Sequence, residues 1–216
     1  MSYVKAQTRD NGFVRDVSNG DVVAQGEVIG VLSTVGAGAL TAALITGYSL
    51  ISRTGPVGAY ADTVATAADI IAALAVNGQT PNPGSTHRLR ILNTVAFINT
   101  ITANTGVTLS GTTAIAASSW RDFLVTLVNT TNASIGVGNT TNANATITGL
   151  SQTALGLITP GMTVTGTGIA GGTTVIGVNL TAGTVTLSAN ATATGANVAL
   201  TFSPTVSIAG IGGGPV

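Results

Sequence analysis

The sequence predicts a mainly β protein built of sandwich- or barrel-like units, with one short α-helix near residues 63–76. Three observations predict it. Short runs of Val, Ile, Leu and Thr alternate with Gly- and Asn-centred turn signals along most of the 216 residues, the pattern of half-buried strands rather than of long helices. Apolar residues make up 44% of the chain, enough for a packed core and too many for a disordered polar chain. Charged residues make up only 6%, against about a quarter in an ordinary soluble domain, so Thr, Asn, Ser and Gly must coat much of the surface.

Residues 1–35 read as short strands separated by the turn dipeptides Asn11-Gly12 and Asn19-Gly20, with Val22, Val23, Val28, Ile29, Val31 and Leu32 as strand residues. Residues 28–52 carry no charge and are long enough to span a membrane. However, Gly30, Gly36, Gly38 and Gly47 with Ser33, Thr34, Thr41 and Thr46 cut this run into pieces, which predicts a buried strand–turn–helix segment instead. The helix is expected between Tyr60 and Gly78: Asp62 or Thr63 caps its start, Ile70, Ile71 and Leu74 form its apolar face, and Asn77-Gly78 ends it.

After the Pro-containing loop 79–84 comes His87-Arg88-Leu89-Arg90-Ile91-Leu92-Asn93, where Leu89 and Ile91 alternate with Arg88 and Arg90 as in a strand buried on one face. Further strands are expected at 95–102, 107–110, 114–117 and 123–128. A Thr/Asn-rich connector over 129–144 then leads to a second β-rich unit, with strands expected at 145–149, 162–165, 173–178, 184–188 and 197–202. The tail from Gly210 is too glycine-rich to fold alone. Three segments result: a docking segment of short strands over 1–50, a β-rich domain with one helix over 51–130, and an uncharged Thr/Asn/Gly-rich β-domain over 131–216.

Charge is distributed unevenly. All seven basic and all seven acidic residues lie between Lys5 and Asp122, and residues 123–216 have none. Interspersed charge keeps a free monomer soluble, so neighbouring subunits or a rigid, Thr-coated β-structure are expected to cover this surface. A net charge of zero with no basic block excludes a phosphate-binding footprint, and with it nucleic acid as a partner. The absence of cysteine excludes disulfides and thiolate metal sites and fits a reducing compartment. The first ten residues contain no apolar run of the secretory type, so no secretion signal is expected.

Few residues suggest chemistry, and no catalytic, cofactor or metal site is expected. Gly166-Thr167-Gly168-Ile169-Ala170-Gly171 fits a dinucleotide fingerprint, but β-branched residues follow it in place of a helix and no acid follows for a ribose, so it reads as a turn. His87, the only histidine, lacks partners for nucleophile activation or metal binding and reads as a strand-edge residue. Asp62 and Asp69 read as a cap and a solvated helix position rather than a carboxylate pair. Arg53 beside Thr54-Gly55-Pro56 reads as a turn brace before an acid-binding group. Trp120-Arg121-Asp122 reads as aromatic packing joined to an ion pair. The Asn-x-Ser/Thr sequences are expected by chance in so Asn/Thr-rich a chain and are read as unmodified.

Residues of about 40–128 carry a more specific order of pieces: Arg53-Thr54-Gly55-Pro56 through Tyr60-Ala61-Asp62-Thr63, then Thr66-Ala67-Ala68-Asp69-Ile70-Ile71, then Arg88-Leu89-Arg90-Ile91-Leu92-Asn93-Thr94-Val95-Ala96-Phe97. Gly106-Val107-Thr108-Leu109-Ser110-Gly111 and Ala116-Ala117-Ser118-Ser119-Trp120-Arg121-Asp122-Phe123 complete it. This order resembles tailed-phage virion structural proteins of the capsid decoration (cement) or head-fibre type. Residues of about 145–203, with Pro160-Gly161-Met162-Thr163-Val164 and Val185-Thr186-Leu187-Ser188, resemble a β-module of phage fibres and bacterial surface proteins.

The resemblance implies a non-enzymatic virion component, assembled in the host cytoplasm, that decorates a capsid through subunit interfaces. The implied partners are the major capsid protein or another virion protein, and further copies of this chain, with a trimer favoured. No cofactor and no membrane association are implied. Lys5, Arg9 and Arg15, with Asp10 and Asp16, are the residues expected to fix the docking orientation by charge complementarity. The alternative is a tail-fibre or adhesin-like module that binds cell-surface carbohydrate, for which one Trp and three Tyr make a poor stacking platform.

Overall fold

In the computed structural model the described residues are 29–76, 80–131 and 134–216, preceded by the backbone of three short strands. These are β1 (Gln7–Asp10), β2 (Phe13–Asp16) and β3 (Val22–Val23), which form an antiparallel meander in the order β1-β2-β3. Asp10 pairs with Phe13, the register that a two-residue hairpin requires. The dipeptides Asn11-Gly12, Asn19-Gly20 and Asn77-Gly78 lie outside the described residues.

From residue 29 the chain winds through repeated turns of one plan. The first is β4 (Gly30–Leu32), β5 (Ala39–Leu40) and α1 (Ala42–Gly47). The second is β6 (Leu50–Arg53), β7 (Tyr60–Val64) and α2 (Ala67–Val76). The third begins with β8 (Thr86–Asn93) and β9 (Asn99–Thr102). Equivalent strands stack in parallel, β4 on β6 on β8 in one sheet and β5 on β7 on β9 in the other. The corners between them stack closely enough that Gly55, at φ +98°, would place a Cβ 2.4 Å from the Ser33 carbonyl oxygen. Only glycine fits there.

The helix starts later than expected. Residues 60–64 are a strand because Tyr60, Asp62 and Val64 point inward in alternation with Ala61 and Thr63, while the backbone pairs with β9. Asp62 and Thr63 are therefore not caps. Thr66 is the capping side chain: its Oγ1 accepts from the Asp69 N–H at 3.1 Å. The expected apolar face is present, with Ile70, Ile71 and Leu74 all buried.

The winding ends in β10 (Val107–Gly111), β11 (Ala114–Ile115) and the long β12 (Ser119–Asn129). The chain then leaves to build a second unit from β13 (Ser134–Thr140), β14 (Thr146–Ile147), α3 (Gln152–Leu155), β15 (Thr163–Gly166), β16 (Val175–Asn179), β17 (Thr184–Leu187) and β18 (Gly195–Ser203). Two three-stranded sheets, β13-β18-β15 and β14-β17-β16, enclose a core that includes Ile147, Leu155, Met162, Val185, Leu200 and Phe202. The fingerprint-like glycines lie in two successive turns: Ile169 N–H donates to the Gly166 carbonyl and Thr173 N–H to the Ala170 carbonyl, with Gly168 and Gly172 at positive φ.

The last strand, β19 (Thr205–Pro215), returns to the first unit. It lies between β10 and β12 in a six-stranded sheet of order β10-β19-β12-β8-β6-β4, opposite a four-stranded sheet β11-β9-β7-β5. Both sheets and α2 share one core, which includes Leu40, Ile51, Val64, Ile70, Ile91, Ile101, Phe123 and Val206. The fold is thus mainly β, with three short helices among the described residues. The sheets do not divide at residues 50 and 131: residues 30–32 and 205–215 belong to the same sheet as β6, β8 and β12. The second unit is an insertion between two paired strands, since Asn129 at its entry faces Thr205 at its exit. No helix among the described residues is long and apolar enough to cross a membrane.

Candidate docking surface

Four of the seven charged side chains in residues 29–216 gather around β8 and β12. Strand alternation puts Arg88, Arg90 and Leu92 on the outward face of β8, and the antiparallel register sets Leu124, Asp122 and Trp120 opposite them. Asp122 is only 1% exposed because both arginines reach over it. Arg90 Nε and Nη2 donate to its two carboxylate oxygens at 2.7 and 2.9 Å, and Arg88 Nη2 donates to Oδ2. The Arg90 guanidinium also stacks 3.9 Å from the centroid of a Trp120 ring. Arg88 and Arg90 remain 62% and 43% exposed. The result is a cationic, aromatic patch with one net positive charge in the middle of a sheet.

The glycine-rich tail runs beside this patch. Trp120 pairs with Gly214, and a Cβ added there would sit 3.4 Å from the indole; one added at Gly213 would sit 3.4 Å from the Arg121 guanidinium carbon. Arg121 itself takes no part in the Asp122 ion pairs. Its Nε donates to the Ala114 carbonyl at 2.8 Å, tying β12 to the opposite sheet. The ion pair expected at Trp120-Arg121-Asp122 is therefore made with arginines from a neighbouring strand.

Behind the patch, a buried polar cluster fixes the corner of the winding. Arg53 is fully buried and acts as a brace, the reading favoured above. Its Nε donates to Asp62 Oδ2 at 2.8 Å and its Nη2 to Oδ1 at 3.1 Å, while Nη1 and Nη2 also donate to the carbonyls of Leu32, Thr34, Gly36 and Thr54. Asp62 further accepts from Gly38 N–H and Asn99 Nδ2. Arg53 lies 4.6 Å from the Tyr60 ring centroid, and the Tyr60 hydroxyl donates to Asn93 Oδ1 at 2.8 Å. One guanidinium thereby holds the corners of the first and second turns together.

His87 pairs with Val125 of β12 and lies before the stretch of β8 that β6 covers, Arg90–Asn93, and its Nε2 bonds the Ile45 carbonyl of α1 at 3.0 Å. Lys5 lies outside the described residues. Arg9 and Arg15 lie on paired strands, opposite Val14 and Thr8, and their side chains are outside the described residues. A shallow depression of about 420 Å³ lies beside α1 and the start of α2, and Thr66 and Asp69 in its wall bond each other. Among the described residues no three His, Asp or Glu side chains cluster as metal ligands.

Three titrating groups give the fold a pH signature. Hydrogen bonds from Arg90 and Arg88 hold the Asp122 carboxyl below its usual range against the opposing effect of burial. Burial lowers His87 and, as the largest influence, pushes the Tyr60 phenol up to about 12. The unfolded chain therefore takes up a proton at His87 before the folded chain does, so stability falls as pH drops below about 6.5. A further loss follows as Asp122 protonates. Above about pH 10 the unfolded Tyr60 ionises while the folded one keeps its proton, so stability falls again toward pH 12. Urea midpoints should therefore be highest between these limits, and His87→Gln should flatten the first acidic decline.

Searches for a matching protein family, a similar curated protein or a similar solved structure found no match to this chain.

Proposed function

We propose that this chain is a structural virion protein that decorates or cements a phage capsid, assembling as a homo-oligomer with a trimer favoured and docking to the shell through the outer face of its six-stranded sheet. The observation that carries the docking assignment is the position of the Arg88, Arg90, Trp120 and Asp122 patch. In a chain with so little charge, it concentrates exposed guanidinium groups and the only indole on one sheet face. Arginine and tryptophan are the residue types that dominate binding energy at protein interfaces, and guanidinium forks suit a partner that presents carboxylates.

Support for the virion assignment comes from the ordered sequence pieces between residues 40 and 128. They include Arg53, Asp62, Arg88, Arg90, Trp120 and Asp122, the residues of the buried brace and of the patch together. The N-terminal arginines and Lys5 remain part of the proposal as a second charged contact that sets orientation. The carbohydrate alternative has less support, because Arg90 covers a face of the single indole.

The test is co-sedimentation of the purified protein with shells stripped of it. Arg88→Ala with Arg90→Ala should weaken attachment by about 10-fold or more, in line with the loss of charged interface anchors, and the binding should weaken with added salt. Unchanged attachment by a folded double variant would remove this face from consideration.

A further inference from the structure

Among the described residues, one edge of the second unit has no partner strand. β13 is the outer strand of the β13-β18-β15 sheet. At its far end Asn139 exchanges both backbone hydrogen bonds with Thr148, so the outward-directed backbone groups of β13 are those of Asn139 and, by strand alternation, Val137 and Ile135. No described strand pairs with Ile135 or Val137 on that side. Their side chains are also exposed, by 76% and 49%.

Natural sheets protect such an edge with Lys, Pro, a bulge or a covering loop. Here β13 is regular over residues 134–138, and residues 123–216 contain no charge at all. The outward N–H and C=O groups of Ile135 and Val137, without a strand partner among the described residues, specify their occupant: it must be an extended backbone. With no charge on the edge, apolar matching and strand geometry select which one.

We propose that β13 pairs antiparallel with β13 of a second copy of this chain. The sequence Ile135-Gly136-Val137 is its own complement about a two-fold axis at Gly136. Ile135 faces Val137 of the second copy in both directions, each facing pair exchanges two backbone hydrogen bonds, and the aliphatic side chains of each pair share one sheet face. Gly136 opposite Gly136 brings no side chain to the axis. The two three-stranded sheets become one continuous six-stranded sheet. A two-fold contact joins copies in pairs, so it links whatever oligomer the first unit forms and does not depend on the docking reading above.

The test combines light scattering with amide hydrogen exchange on the full chain. The mass should at least double as concentration rises, and the amides of Ile135 and Val137 should become protected over the same range. Val137→Lys should abolish the doubling with unchanged far-ultraviolet circular dichroism. The milder Ile135→Thr with Val137→Thr should shift it to higher concentration, which keeps the test decisive if the lysine variant misfolds. Leu180→Lys, an equally exposed change elsewhere on the unit, should leave it intact. A mass that does not double, amides that exchange freely at every concentration, or equal sensitivity to Leu180→Lys would each overturn the proposal.

Discussion

Replacing Asp62 by Ala is expected to destabilise the first unit by about 3–5 kcal/mol, the usual consequence of leaving one member of a buried ion pair uncompensated. Arg53 and Asp62 are both fully buried, and the carboxylate also accepts from Gly38 and Asn99. Asp62→Asn should not rescue, because an amide turns donors toward the donors of Arg53, Asn99 and Gly38. Removing both charges, as in Arg53→Met with Asp62→Leu, often restores stability when a buried pair stands alone. It should restore only part of the loss, because Arg53 also donates to the carbonyls of residues 32, 34, 36 and 54; Leu32 keeps the Thr54 N–H as a donor, while the partly buried carbonyls of 34, 36 and 54 lose the guanidinium. Urea unfolding of the three variants checks this. A loss below about 1 kcal/mol for Asp62→Ala, the size of a surface pair, would show that water reaches the site.

Truncation after Pro204 is expected to abolish folding of the first unit, whereas excising residues 130–204 and joining Asn129 to Thr205 through Asn-Gly should preserve it. β19 is an interior strand, paired to β10 on one side and β12 on the other, and Val206 and Ile208 are 0% and 2% exposed. Losing two such side chains costs about 2–5 kcal/mol each, before the lost backbone pairing is counted, against a total of about 5–15 kcal/mol for a domain. The inserted unit has a separate core. It is tied to the first unit at the junction by hydrogen bonds of Asn129 to Thr159 and Pro160 and of Thr205 to Gly161. Cooperative thermal unfolding should survive the excision and vanish with the truncation. The reverse result would mean that the two cores depend on each other.

These two expectations show where the sequence was informative. Periodicity alone located the half-buried strand of β8, since Leu89 and Ile91 alternate with Arg88 and Arg90, and short apolar runs between turn signals predicted a mainly β protein whose second unit carries no charge. Gly166 to Gly171 read as turns because β-branched residues follow in place of a helix, and the structure puts Gly168 and Gly172 at positive φ there. The brace at Arg53 was legible for a similar reason, as an isolated arginine beside a Gly-Pro turn.

Long-range pairing decided the rest. Nothing local distinguishes Tyr60 to Val64 as a strand from a helix start; the parallel partner β9 decides it. The Arg88, Arg90, Trp120 and Asp122 patch was hidden because Asp122 finds its arginines on β8 rather than at Arg121 beside it. The tail reads as unable to fold alone, and in isolation glycine does lose most entropy on ordering. It becomes a strand because β12 supplies hydrogen bonds along residues 210–215, β10 adds a second partner at Gly210, and a Cβ at Gly210 or Gly213 would meet the Thr112 or Trp120 carbonyl oxygen at 2.1 or 2.7 Å. Composition, turns and strand alternation were therefore determined by the sequence itself, through forces acting over a few residues. Which strands meet, and hence which charges share a surface, was decided only when the chain closed on itself.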